Sequence, residues 1–241
     1  MIELINVTKK YGKLLANDNI CFTVGSGEIS ILAGPNGAGK STLIKSIAGL
    51  LRFKGKILIN GKENKSPQAK RSLGYIPETP VLYDMLSVWE HMEFIARAYS
   101  LDNWKDYAEE LFERFDLSDK KKKLGSELSK GMQQKVSICC GLLPRPNILL
   151  FDEPFIGLDP HAIKELKKIF VEQKNQGASI IISTHMLDSV TDYWDSTNIM
   201  VKGSIAASRT REDIAGSNED LEELFFEITE GVRASENGEE R

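Results

Sequence analysis

The sequence predicts an α/β fold with a parallel-sheet core, and three observations carry that expectation. Short apolar runs bounded by turn residues, "EISILA", "NILLFDEP", "ASIIISTH" and "STNIMVKG", have the length and composition of buried strands. Helical stretches lie between them: "STLIKSIAGL" follows the first, and "HAIKELKKIFVEQKN" separates the second from the third. Strands alternating with helices pair in parallel through right-handed crossovers. The third observation is a glycine-rich segment, "GPNGAGKS", placed at the junction of a strand and a helix.

Taken in order, residues 1–33 and 53–60 read as short strands, "IELINVT", "ICFTV", "EISILA" and "GKILING", separated by Gly, Asn and Lys turns. From about Leu86 to Leu143 the periodicity turns helical. There "SVWEHMEFIARAYSL" opens with a capping box, Ser87 with Glu90 three residues on, and Val88, Met92, Ile95 and Tyr99 recur at helical spacing. Near the end, "NEDLEELFFEIT" puts Leu221, Leu224, Phe225 and Ile228 on one helical face, and "GVRASENGEER" (231–241) reads as a frayed, disordered tail. There is no internal repeat and no low-complexity linker.

The 241 residues are enough for one large domain or two small ones, and 41% hydrophobic with 27% charged residues is a globular composition. A net charge of −4 gives no global positive field toward nucleic acid or anionic lipid. Lys120 to Lys123 form a basic run whose simplest reading is a solvated face, against a membrane-binding patch as the rival. Cys21, Cys139 and Cys140 fit neither a zinc site nor a disulfide framework and read as reduced thiols in cytoplasm. No segment reaches the roughly 18 apolar residues a membrane span needs, so any membrane connection is expected to run through a partner, without direct insertion.

The strongest chemical signal is Gly34-Pro35-Asn36-Gly37-Ala38-Gly39-Lys40-Ser41, with Thr42 continuing into the helix. Glycines let successive N–H groups wrap around phosphate oxygens, and the helix N-terminus adds its dipole. Lys40 is expected to reach β- and γ-phosphates and Ser41 to ligate Mg²⁺. "ILLFDEP" delivers Asp152 and Glu153 at the C-terminal end of a strand, where open parallel sheets bind ligands. Asp152 suits a Mg²⁺ carboxylate and Glu153 a base for the attacking water; a strand simply ending in solvated acids is the competing reading. His185 ends "IIISTH" in the same way and could hold a γ-phosphate oxygen, whereas His91 and His161 lack that setting. In "SELSKGMQQKV", Ser129 precedes a helix start; it is either an ordinary N-cap or part of an anion site with Gly131.

The P-loop, "LSKGM", "FDEP", "GLDP" and "STH", in this order and over essentially the whole chain, resemble the nucleotide-binding subunit of ATP-binding cassette (ABC) transporters. The resemblance implies an ABC-type P-loop ATPase over residues 1–230, with an N-terminal antiparallel β subdomain and a helical subdomain at about 84–145. It implies ATP and Mg²⁺ as ligands and a head-to-tail pairing with a second ATPase subunit, either another copy or a paralogue. In that pairing Ser129 and Gly131 cap the γ-phosphate of ATP held by the partner's P-loop. Tyr11 matches the adenine-stacking aromatic, a surface tyrosine being the alternative, and Asp159 matches the loop crossing between subunits. A transmembrane permease is implied as partner, which places the chain peripherally on the cytoplasmic side of the membrane. "LSKGM" and the "DLEELFFEIT" ending are typical of small bacterial exporters. A soluble ABC ATPase driving cluster assembly is the rival of similar length.

Four positions depart from the commoner family pattern. Glu78, in "GYIPETP", stands where glutamine is usual; it could ligate the metal but adds negative charge. Lys130 and Met132 replace glycine and glutamine in the signature, and Ile156 stands where a small hydroxylic residue often precedes "GLD".

Overall fold

The computed structural model describes residues 1–187, 190, 192–216 and 220–229. Two sheets frame the molecule. Strands β1 (Ile2–Tyr11), β2 (Leu14–Val24), β4 (Lys54–Ile59) and β5 (Lys62–Glu63) form an antiparallel sheet in the order β2-β1-β4-β5. The second sheet runs β10-β9-β3-β8-β7-β6 and is built from β3 (Glu28–Ala33), β6 (Leu73–Ile76), β7 (Ile148–Asp152), β8 (Ser179–Thr184), β9 (Ser196–Val201) and β10 (Ser204–Thr210). All its neighbours pair in parallel except β10, which is antiparallel to β9 at the edge.

The parallel sheet is apolar on both faces because each face is covered. Successive side chains of a strand point to opposite faces. Ile29 and Ile31 of β3 therefore join Phe151 and Ile182 in one buried cluster, while Leu32 joins Leu150 and Ile181 in another. The first cluster is closed by helices α3 (Val88–Tyr99), α4 (Trp104–Arg114), α5 (Lys130–Leu142) and α6 (Pro160–Asn175). The second is closed by α1 (Lys40–Ile47), the short α2 (Pro67–Arg71) and the inner face of the antiparallel sheet.

The capping box at Ser87 is formed: the Ser87 hydroxyl accepts from the Glu90 N–H at 3.2 Å, and Glu90 accepts the Ser87 N–H at 2.8 Å. The expected helical stretch from 86 to 143 is interrupted, however. After α4, Asp116 adopts φ 55° and the Leu117 N–H donates to the Phe112 carbonyl at 2.8 Å, a left-handed helix stop. The chain then runs through two single 3₁₀ turns to Ser129. In this region Lys120 pairs with Asp119 and Lys121 with Glu109, in line with a solvated face.

Helix α7 (Arg211–Gly216) and a helix over 221–229 complete the described chain. In the latter Leu221 and Phe225 are buried, and Leu224 and Ile228 pack against the same core, the face expected from the spacing. The tail at 231–241 lies outside the described residues. Among the described residues no helix is long and apolar enough to cross a membrane. The three cysteines are free, and burial pushes the Cys140 thiol up to about 12.

Register places the chemistry. Ala33 stands beside Thr184, and Asp152 beside Ser183, so β3, β7 and β8 end at one level. The segments that leave these ends are the glycine loop, Glu153 and His185.

Candidate functional site

The glycine loop is shaped by the backbones pressed against it. A Cβ at Gly39 would lie 2.2 Å from the Ala16 carbonyl oxygen, and Gly39 has φ 103°, open to glycine at little cost. A Cβ at Gly34 would lie 2.4 Å from the Met200 carbonyl oxygen. Buried Asn17 holds the loop from β2, its Nδ2 donating to the Gly39 carbonyl at 3.1 Å. Helix α1 starts at Lys40 with no side-chain cap at Gly39, so its positive end faces the loop. Asn36 and Gly37 are exposed at the mouth.

Asp152 and Glu153 are both buried but bound differently. Asp152 Oδ1 accepts from Ser41 Oγ at 2.9 Å and from Ser183 Oγ at 2.7 Å, while its buried Oδ2 has no hydrogen-bond partner among the described residues. Ser183 Oγ also accepts the Glu153 N–H at 3.0 Å. Glu153 itself adopts φ 48°, a turn that directs the chain away from the strand. Its carboxylate lies between two basic groups: Lys40 Nζ is 3.5 Å from Oε1, and His185 Nδ1 is 3.0 Å from Oε2. Lys40 Nζ further donates to the carbonyls of Gly34 at 2.7 Å and Pro35 at 3.2 Å. Burial pulls the Lys40 ammonium below the ordinary lysine value, and the Glu153 carboxylate pulls the other way. The Tyr75 phenol is pushed well up by burial, then by the charges of Asp152 and Glu78, and stays neutral.

Hard oxygens at Ser41 and Asp152, one of them buried and unpartnered, fit a small divalent cation that keeps most of its ligands as water and phosphate. Glu78 is exposed on the rim of the same cavity. That cavity, about 620 Å³, runs from Tyr11 and Leu14 past Gly37–Thr42 to Glu78, Glu153 and His185. Tyr11 is 46% exposed with the Lys9 ammonium 4.7 Å from its ring centroid, so one face of the ring already holds a cation.

Gly34, Pro35 and Asp152 are outside the lining itself but bonded to it through Lys40 and Ser41, whereas three further expected residues lie apart from it. Ser129 caps α5, its Oγ accepting from the Met132 N–H at 3.3 Å. Gly131 packs so closely on the "GLDP" turn that a Cβ would lie 2.6 Å from the Gly157 carbonyl oxygen. Asp159 caps α6, Oδ1 accepting from the Ala162 N–H at 2.9 Å, and Oδ2 stands 2.6 Å from Lys135 Nζ. The Lys135 hydrogen bond, with the Ala162 N–H second, holds the Asp159 carboxyl below the usual carboxylate range. Of the histidines set aside, His91 is structural: Nε2 accepts the Tyr83 N–H at 2.9 Å and Nδ1 faces the Ser87 carbonyl at 2.8 Å. Sequence reasoning missed Asn17, Ser183 and Lys135. Ser183 could have been found as the hydroxyl interrupting "IIISTH" one residue from the strand end.

A parallel sheet whose strand ends present a glycine loop on a helix N-terminus after β3 and two acidic residues at the end of β7, with β8 between the two strands, defines a P-loop nucleotide-binding domain. The ABC transporter family profile matches residues 17–156, and the chain belongs to that family as an ATP-binding subunit. It is similar to the ABC-type transporter ATP-binding protein EcsA of Bacillus subtilis, 39% identical over 238 residues that span 95% of this chain and 96% of that protein. It also resembles the lipopolysaccharide export system ATP-binding protein LptB of Haemophilus influenzae, 33% identical over 87% of this chain and 90% of that one. A solved ATP-binding subunit of an ABC transporter superposes with a TM-score of 0.90 at 38% identity, covering 95% of this chain and 99% of the other.

Proposed function

We propose that this chain hydrolyses ATP in a head-to-tail pair of ATPase subunits and that the cycle drives transport, in the export direction, through a separate transmembrane subunit at the cytoplasmic side of the membrane. The observation that supports the reading is the separation, within one chain, of two helix starts: α1 opens on the cavity, whereas Ser129 and Gly131 at the start of α5 do not line it. A second subunit turned head to tail brings its α5 start over the first subunit's glycine loop.

In this reading the ATPase domain is residues 1–230, with about 84–145 as its helical part. Tyr11 stacks on adenine, and the N–H groups of Gly34 through Thr42 wrap the phosphates. Lys40 neutralises the β- and γ-phosphates, His185 holds a γ-phosphate oxygen, and Glu153 orients the attacking water and draws its proton. Ser41 and Asp152, with Glu78 at the rim, would hold Mg²⁺, which supplies charge neutralisation when bound. Asp159 belongs to the loop that meets the other subunit. The permease is received by a groove of about 300 Å³ beside β6 and α3, where Tyr83, Phe94, Tyr99 and Cys140 line an apolar surface. The likeness to a lipopolysaccharide export ATPase supports the direction.

The test mixes two inactive variants, Lys40→Ala and Ser129→Arg. One of the two composite sites then pairs an intact glycine loop with an intact signature, and ATPase activity that neither variant has alone is expected. Cysteines at Ser41 and Ser129 should cross-link between chains when ATP is present. Cross-links confined to single chains would overturn the proposal.

A further inference from the structure

Charge is divided unequally along the chain. Residues 1–71 hold 12 Lys and Arg against 4 Asp and Glu, while the whole chain holds 31 against 35. The first part is therefore +8 and the rest −12, a polarity concealed by the net −4.

The positive part is also unneutralised. Apart from buried Lys40, none of its described Lys and Arg side chains comes within 4.0 Å of a carboxylate. Elsewhere several basic residues are paired, as Arg114 is with Glu165 and Glu172, and Lys174 with Asp195.

Several of these unpaired cations gather around one exposed apolar side chain. Leu50, 62% exposed, follows α1, and its N–H donates to the Lys45 carbonyl at 3.0 Å. The stem of Lys65 lies 3.5 Å from where a Cβ on neighbouring Gly49 would be, and its ammonium is 5.6 Å from the Phe53 ring centroid. Lys9 Nζ donates to the Arg52 carbonyl at 2.9 Å. Lys54 and Lys56 follow on the outer face of β4, alternating with buried Ile57 and Ile59. Glu3 and Glu63 are the nearest acids on that ladder, both opposite Leu58.

We propose that this edge is a contact surface for anionic lipid headgroups, with Leu50 entering the headgroup boundary and the ring of Lys and Arg holding lipid phosphates. The inference rests on the reading of a chain that works beside a membrane, and it adds a contact that does not pass through the permease. Basic residues near an anionic leaflet are attracted within about a Debye length, and a central apolar side chain adds the hydrophobic component of interfacial binding. A phosphodiester backbone would use the cations but gain nothing from Leu50, and the nearest aromatic, Phe53, is half-buried beneath Lys65 and offers no stacking platform. The −12 remainder is repelled by the same leaflet, so the charge polarity also turns the molecule.

The experiment is flotation of the purified chain, without permease or nucleotide, on vesicles of phosphatidylcholine alone and of phosphatidylcholine with increasing phosphatidylglycerol. Binding is expected only with the anionic lipid and is expected to fade as salt rises. Lys54→Glu and Lys56→Glu should each lower the partition at least about fivefold, the ratio implied by about 1 kcal/mol per basic residue. Leu50→Ser should weaken it too, while Lys167→Glu on α6 should not; thermal melts verify that each variant is folded. Failure of the wild type to float, equal flotation on neutral vesicles, or indifference to the β4 variants overturns the inference. So does displacement of the vesicles by RNA that Leu50→Ser binds as well as wild type, which assigns the surface to nucleic acid. Co-purification with a hydrophobic subunit from detergent extracts tests the transport reading separately, and a chain that co-purifies but does not float refutes only this contact.

Discussion

Lys135 Nζ stands 2.6 Å from Asp159 Oδ2, joining the helix that begins at Ser129 to the turn that begins α6. Lys135 is buried and Asp159 half exposed, so the lysine is fixed and the aspartate is the end that solvent and a neighbouring subunit can reach. The same two segments touch at Gly131 and Gly157. The two parts proposed to meet the other subunit are therefore tied to each other by an ion pair and a close backbone approach.

Lys135→Met should lower kcat while leaving ATP affinity of the monomer unchanged, and Lys135→Arg should restore much of the loss. Asp159→Ala should additionally cost about 1 kcal/mol of stability through the lost N-cap. A denaturation midpoint and a KM-against-kcat comparison separate the two effects. If Lys135→Met changes stability alone, the pair is merely structural.

Gly131→Ala should displace the "GLDP" turn, since the added methyl would lie 2.6 Å from the Gly157 carbonyl oxygen. Neither atom belongs to a flexible side chain, so the backbone must give way. ATP-dependent dimerisation on a sizing column should fall, with nucleotide binding to the monomer retained.

Lys40→Ala should abolish detectable ATP binding, because the ammonium that faces the cavity floor is the charge available to the β- and γ-phosphates. Titration with a fluorescent ATP analogue measures it. Unchanged affinity would remove the glycine loop from consideration as the phosphate site.

Glu153→Gln should keep ATP binding and lower turnover by roughly 10²–10⁴. An ATP-bound dimer should accumulate. Wild-type hydrolysis in this variant would shift the base role elsewhere, with Glu78 the first residue to test.

Tyr83→Asp should weaken co-purification with the transmembrane subunit. Tyr83 is 57% exposed and packs edge-on against Phe94, ring centroids 5.3 Å apart, so an acidic replacement puts charge on an apolar rim. An intact complex with unimpaired transport would show that the groove has another use.

The central strands were legible because burial on both faces leaves a continuous apolar run, as in "ILLFD" and "SIIIST". Strand β10 was not, because "SIAASRT" has small and polar residues and no buried side chain; its pairing with β9 defines it. Four-residue β6 is too short for a period. In the site, Lys40, Asp152, Glu153 and His185 announce themselves by position at strand or helix ends. Asn17 and Ser183 act through hydrogen bonds to backbone or carboxylate across 22 and about 30 residues, and such pairings leave no periodic trace. The head-to-tail role assigned to Ser129 has no signal in one chain beyond an ordinary N-cap, and only the family resemblance singled it out.

Glu153 stands between Lys40 and His185, with one carboxylate oxygen toward each. In the proposed reading, a γ-phosphate that came to these two groups would replace one anion by another. Part of the attraction between phosphate and protein is cancelled by the contacts given up, so the affinity gained from the third phosphate is smaller than its contacts suggest. After hydrolysis in that reading, the displaced carboxylate would be tethered within reach and would compete for both partners at a high effective concentration. Departure of inorganic phosphate would then be a substitution by the chain's own side chain.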